Sequence, residues 1–241
     1  ISAPSLTLSG GTITGSDSLT VTGPTTKTGA GTATIATPFT NTGTVDVQAG
    51  TLTLSGSVNN TGGTLKAGAG TTLTMSGSLG NFSAGTLTGG TYNVLGTMRL
   101  PTTSNIVTNA ATIILDGAGA NLYNATSGTT DALAGFTTNA ATGSFTVQNG
   151  RNFTTAGGFS NAGTLTVGSG STLTLSDSLT NFSAGTLTGG TYNVLGTMRL
   201  PTTSNIVTNA ATIILDGAGA NLYNATSGTT DALAGFTTNA A

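Results

Sequence analysis

Short runs in which aliphatic and hydroxylated residues alternate recur along the whole chain. In Thr164-Leu165-Thr166-Val167 and Thr172-Leu173-Thr174-Leu175 the aliphatic side chains fall on one side of an extended strand and the threonines on the other. Glycine, serine and asparagine separate the runs, so each strand is predicted to span only three to five residues. No stretch shows a helical period of apolar positions. The inward residues are Leu, Val, Ile and Phe, and the outward ones are mostly Thr. Strand is therefore favoured throughout, and an all-β chain is predicted.

The strands are organised by two repeats. Residues 81–141 and 181–241 are the same 61-residue string, one hundred positions apart, and the ten residues before each copy are related. Within this long period lies a shorter one, marked by an Asn two or three positions after an apolar residue. Its members are Asn41, Asn60, Asn81, Asn109, Asn139, Asn161, Asn181, Asn209 and Asn239. The intervals between them are 19, 21, 28, 30, 22, 20, 28 and 30 residues, so four of them make one 100-residue unit. A unit that winds once per 20 to 30 residues through short strands is a coil of a parallel β-helix. The predicted fold is a right-handed parallel β-helix, a β-solenoid of about nine coils of 19–30 residues with a 100-residue higher-order repeat. At the usual strand spacing of about 4.8 Å these coils would make a rod roughly 40 to 45 Å long.

The expected organisation is a single β-solenoid over 1–241. Residues 1–40 form less regular first coils and 41–80 narrow coils. One full four-coil unit covers 81–180, and 181–241 starts the next. Both ends read as cuts through a longer polypeptide. The Asn series is expected to form a structural ladder at the corners, where Asn tolerates a left-handed backbone and its amide can bond the next coil. The two wide coils carry extra residues, assigned to Tyr92-Asn93-Val94, Met98-Arg99-Leu100 and the segment from Asp116 to Asp131. Such insertions are expected to leave the cross-section as loops, the usual place for binding in a solenoid. Asp116, Asn121, Tyr123 and Asp131, with Asp216, Asn221, Tyr223 and Asp231 in the second copy, are the candidate loop contacts.

Composition narrows the chemistry. Only 5 % of residues are charged, with seven Asp, five Lys or Arg, and no Glu, His, Cys or Trp. A net charge of −2 offers no basic patch for nucleic acid, and no apolar run is long enough to insert into a membrane. Without His or Cys, neither Ser-His nor Cys-His catalysis can be assembled. Asp116 and Asp131 are the nearest approach to a carboxylate pair, and neither has a Lys or Arg beside it in the sequence. The Gly-rich segment 116–121 holds one Asp, too few for a tight calcium loop. No catalytic, cofactor-binding or metal-binding residues are assigned, and no cofactor is expected. T-x-T pairs at Thr51/Thr53, Thr72/Thr74, Thr86/Thr88, Thr164/Thr166 and Thr172/Thr174 suggest ice binding as a minor alternative. Asp46, Lys66, Asn93 and Ile114 are expected to interrupt that lattice.

The strings N-x-G-T-L-T-V at 161–167, G-S-T-L-T-L-S at 170–176 and F-S-N-A-G-T-L at 159–165 resemble repeats of large bacterial surface and extracellular proteins. The resemblance is to filamentous-haemagglutinin-like adhesins, autotransporter passenger β-helices and β-strand-repeat exoproteins, and it covers nearly the whole chain. It implies a right-handed parallel β-helix, an extracellular or bacterial cell-surface location, and a fibrous or adhesive role. Expected partners are neighbouring copies of the chain or further repeats stacked end to end, or else a glycan or host surface.

Overall fold

Alternation of Thr with Leu or Val over three to four residues, stopped by Gly, Ser or Asn, produces strands too short to be stable alone. They persist because each pairs with the equivalent strand one turn away. A computed structural model describes residues 1–240, and within them every regular element is a strand. The stacked strands pair in parallel and form a β-solenoid. The chain divides into two units. One comprises Ile1–Ile106, Ala111–Leu115 and Gly119–Leu133; the other comprises Val107–Ala110, Asp116–Ala118 and the chain from Ala134 on.

In the first unit the strands of successive turns fall into three columns. One column contains Ser2–Ala3, Leu19–Val21, Phe39–Asn41 and Val58–Asn59. The second contains Leu6–Leu8, Pro24–Lys27, Thr44–Val47, Thr64–Ala67 and Thr86–Val94, and the third runs from Gly11–Ile13 through Thr32–Ile35, Thr51–Leu54, Thr72–Met75 and Thr97–Arg99 to Asn121–Tyr123. The register is continuous: Val45, Leu65 and Tyr92 stack in the second column, and Ala33, Leu52, Leu73, Met98 and Leu122 in the third. Two turns thus precede the one that Asn41 opens. Val21 and Ala3 occupy its column there.

The second unit repeats the arrangement. Thr138–Asn139 pairs with Ser160–Asn161. Ser144–Gln148, Thr164–Val167, Thr186–Val194 and Thr208–Leu215 follow one another in the next column, and Phe153–Thr154, Thr172–Thr174, Thr197–Arg199 and Asn221–Tyr223 in the last. In both units the inward positions are fully buried: Leu52, Leu54, Leu65 and Leu73 in one, Leu165, Val167, Leu173 and Leu175 in the other. Each such side chain contributes roughly 1.5–3 kcal/mol relative to exposure. Four phenylalanines cluster in the second core, with the Phe136 ring 4.9 Å from Phe145 and 5.0 Å from Phe159, and Phe145 5.1 Å from Phe153.

The wide coils differ from expectation in where their extra residues lie. Tyr92-Asn93-Val94 is not an insertion, because it continues the column of Leu65-Lys66-Ala67 in register. The added piece is a hairpin just before it, in which Phe82–Ser83 pairs antiparallel with Thr86 and Leu87. Its turn is Ala84-Gly85, both at positive φ (48° and 78°), the geometry that matches the twist of a two-residue hairpin. The same hairpin recurs at Phe182–Ser183. The segment from Asp116 to Asp131 is likewise not one excluded loop. Asn121–Tyr123 is a column strand paired with Thr97–Arg99, Asn124, Ala132 and Leu133 are buried, and within the segment the exposed residues are Ala118, Gly119 and Thr126–Thr130.

Candidate functional site

The most regular polar feature is the asparagine ladder, and it is internal. Asn41, Asn60, Asn109, Asn139 and Asn161 are fully buried, and Asn81 and Asn209 nearly so. None of the nine described Asn has a left-handed backbone; the non-glycine residues with positive φ are Ala84, Asn149, Asp177 and Ala184. The expectation that these Asn turn corners is therefore corrected. Most end or lie within a short strand with the amide aimed inward, where its donor and acceptor meet their counterparts one turn away. The backbone reversal falls to other residues, such as Asn149-Gly150 and Gly170.

The Asn139 side chain illustrates the geometry. Its Nδ2 donates to Asn161 Oδ1 at 2.9 Å and to the Thr164 carbonyl at 3.1 Å, while its Oδ1 accepts from Asn109 Nδ2 at 3.0 Å. Asn41 donates in the same way to Asn60 Oδ1 at 2.8 Å and to Thr64 O at 3.0 Å. At each hairpin the pattern changes. Asn81 Oδ1 accepts the backbone N–H of Asn60 at 2.7 Å, and its Nδ2 turns to Thr88 O at 2.9 Å; Asn181 repeats this with Asn161 and Thr188. The start of the ladder is incomplete. Asn41 Oδ1 is buried with no donor, because Val21 stands where an amide would have supplied one.

Sequence reasoning missed three buried or clamped groups. Lys27 is fully buried in a column otherwise filled by Leu8, Val47, Ala67 and Val94, and its Nζ donates to the carbonyls of Gly29 and Ala49. Its alkyl stem packs while the ammonium reaches the corner backbone. A 20-residue alignment with Val47 would have flagged it. Tyr92 and Tyr192 are also fully buried, and their hydroxyls make no hydrogen bond of ordinary geometry. Burial pushes both phenols well above the usual tyrosine range, opposed more weakly by the neighbouring amides of Asn60 and Asn161. The third group is Arg99, whose guanidinium lies 5.0 Å from the centre of the Tyr123 ring and donates to the Gly128 carbonyl; Arg199, Tyr223 and Gly228 do the same.

Of the predicted loop contacts, an antiparallel bridge brings Tyr123 to Asp131 and Tyr223 to Asp231, and the others are engaged one by one. Asp116 accepts from Asn149 Nδ2 at 2.6 Å and Gln148 Nε2 at 3.0 Å. Asp131 Oδ1 accepts the Leu133 N–H at 2.8 Å, closing a local turn, and Asp231 does the same for Leu233. Asn121 and Asn221 each donate to a glycine carbonyl two residues earlier, Gly119 and Gly219, at 2.9 Å. Asp216 carries no such amide contacts and is exposed. Among the described residues no three of His, Cys, Asp or Glu gather, and one ion pair forms, Lys66 to Asp46 at 3.2 Å.

The T-x-T pairs do not share one face. Thr164/Thr166 lie in the second column of their unit, Thr86/Thr88 next to the hairpin, and Thr172/Thr174 in the third column of the second unit. In the first unit, however, Thr51/Thr53 and Thr72/Thr74 stack in register with Thr32/Thr34, and Thr12 and Thr97 extend the two files. Asp46, Lys66 and Asn93 occupy the second column and do not enter these files. Comparison with known proteins is silent: no family model, no curated protein and no solved structure matches the chain.

Proposed function

We propose that the chain is a structural repeat region that forms an extended rod or fibre on the bacterial surface or in the extracellular matrix, without catalysis. The supporting observation is how the chemically capable side chains are used. Buried amides bond other amides and backbone, Lys27 and Arg99 bond carbonyls, and Asp116 and Asp131 bond neighbouring donors. Polar groups are spent on holding turns together, the arrangement expected of a scaffold whose energy is shared between adjacent repeats. Two experiments test the reading. Electron microscopy of the purified chain is expected to show narrow rods, and antibodies raised against it are expected to label intact, unpermeabilised cells of the source organism. Globular particles, or labelling only after permeabilisation, would refute it.

Two other readings each have an observation in their favour. Adhesion to glycan or host surfaces is supported by the exposed stretch Thr126–Thr130, displayed at a fixed place by the Arg99 clamp. A glycan array should then show binding that is lost when 124–130 is replaced by a Gly-Ser linker. Ice binding is supported by two Thr files of the first unit, four residues each before Arg99 and Asn121 end them, spaced about 4.8 Å along each file and two residues, roughly 6.6 Å, across. Absence of thermal hysteresis at high protein concentration would eliminate it.

A further inference from the structure

The duplicated sequence separates surface that belongs to the repeat from surface that depends on where the sequence stops. Residues 101–107 and 121–130 have the same pattern of buried and exposed positions as 201–207 and 221–230, although further strands follow the first copy. The surface these segments share is therefore intrinsic to the repeat. In the second copy they form an open cleft of about 340 Å³, lined by residues 201–203 and 225–227 and by Asp177. Its walls are held in place. Asn224 is buried and donates to Asn205 Oδ1 at 2.7 Å, and Arg199 reaches the Gly228 carbonyl from over the Tyr223 ring. Thr202 Oγ1 accepts the Ser204 N–H at 3.0 Å, which leaves its own proton to donate. Asp177 has a positive φ (69°), a conformation that Asp tolerates. Unlike Asp46, Asp116 and Asp131, whose carboxylates accept from neighbouring groups, Asp177 has no donor among the described residues. At the matched position the first copy has Gly77.

We infer that this cleft is a binding subsite for a neutral saccharide, in which the Asp177 carboxylate accepts from sugar hydroxyls and Thr202, Thr203, Thr226 and Ser227 exchange hydrogen bonds with others. This rests on the adhesion reading and gives it a ligand class and a place. The lining decides the class. Four side-chain hydroxyls each donate and accept, as sugar hydroxyls do, and Pro201 and Ala225 present small apolar surfaces to the C–H groups of a ring. No Lys or Arg lines the cleft, so an acidic sugar would meet Asp177 with no compensating charge. A single carboxylate is too few for a tight calcium site. The first copy keeps the same hydroxyls at Thr102, Thr103, Thr126 and Ser127 but lacks the carboxylate, whose charge-assisted hydrogen bonds are the stronger ones. The second copy is therefore the tighter of the two.

A glycan array, followed by titration of a retained saccharide in solution, tests this. The intact chain is expected to retain neutral saccharides in preference to sialylated or sulfated ones, with or without a calcium chelator. Asp177→Asn suits the positive φ and is expected to leave the circular dichroism unchanged while weakening binding about tenfold, the effect of losing a hydrogen bond to a charged group. The duplicated loops supply the control. Thr226→Ala with Ser227→Ala is expected to weaken binding more than Thr126→Ala with Ser127→Ala, although the two loops are identical in sequence. Asp177→Asn binding as well as the parent, equal effects of the two pairs, a strict need for calcium, or retention of acidic glycans alone would each overturn the proposal. Replacement of 124–130 separates it from the adhesion reading. Binding that this replacement abolishes and Asp177→Asn leaves untouched removes the subsite alone, while a chain that retains no glycan removes both.

Discussion

Replacing Asn139 by Ala and Asn239 by Ala makes the same chemical change at two positions with identical preceding sequence. At 139 the truncation removes the donor to Asn161 Oδ1 and to the Thr164 carbonyl, and the acceptor for Asn109 Nδ2, all within a buried network. Asn109 Nδ2 keeps its bond to Ser144 O, so the main loss is at Asn161 Oδ1 and Thr164 O, with the longer bond to Gly143 O at 3.3 Å lost as well. A buried polar group deprived of its partner costs about 1–3 kcal/mol, which places Asn139→Ala at about 3 to 5 kcal/mol including the small void. At 239 the side chain is exposed and accepts one bond from Asn209, which water can replace, so Asn239→Ala is expected to cost less than about 1 kcal/mol. Denaturant unfolding followed by far-ultraviolet circular dichroism measures both. Amide hydrogen exchange at Asn161 and Thr164 would localise the effect, since repeat arrays can unfold in parts. If the two variants fall within about 1 kcal/mol of each other, the buried ladder is not the stabilising element argued above.

Other consequences follow from single residues. Tyr92 and Tyr192 are neutral in the fold, with pKa values raised above the ordinary 10.0, so their contribution is intact below pH 10 and is lost as pH rises above it. Stability should fall by about 1.4 kcal/mol per pH unit for each tyrosine in that limb, and the double Phe variant should lose the limb. Because neither hydroxyl makes a hydrogen bond of ordinary geometry, Tyr92→Phe should also stabilise the chain at pH 7 by about 1 kcal/mol, read as a raised denaturation midpoint. Val21→Asn should supply the missing donor to Asn41 Oδ1 and raise stability by about 1 kcal/mol, provided the first turn accommodates the amide. Arg99→Ala should leave the fold intact by circular dichroism but release the 124–130 segment, seen as faster proteolytic cleavage there.

The recurrence of alternating runs once per 20 to 30 residues is what made the parallel solenoid legible, because short strands at that spacing gain partners by stacking on their equivalents one turn away. The Asn positions were legible for the same reason: each recurs once per turn. Their geometry was not, since Asn suits both a left-handed corner and an inward amide ladder, and only the burial of Asn139 and its neighbours decides between them. The hairpin at Phe82–Leu87 was missed because its turn places Ala84, which gives no turn signal, at positive φ. The pattern T-Y-N-V then read as an added strand, although it is the regular column position. Arg99 on Tyr123 joins residues 24 apart on adjacent turns, a contact visible only once the register is known.

If residues 81–180 are a block of four turns that the chain can repeat, its length follows from the number of blocks. Inserting a further copy of residues 81–180 after Gly80 tests this most directly, with particle length measured by small-angle X-ray scattering. The lengthened chain is expected to fold with the same spectrum per residue and to grow along one axis by roughly 19 Å, four strand spacings, at constant cross-section. A chain that unfolds, or one that thickens without lengthening, would contradict the account.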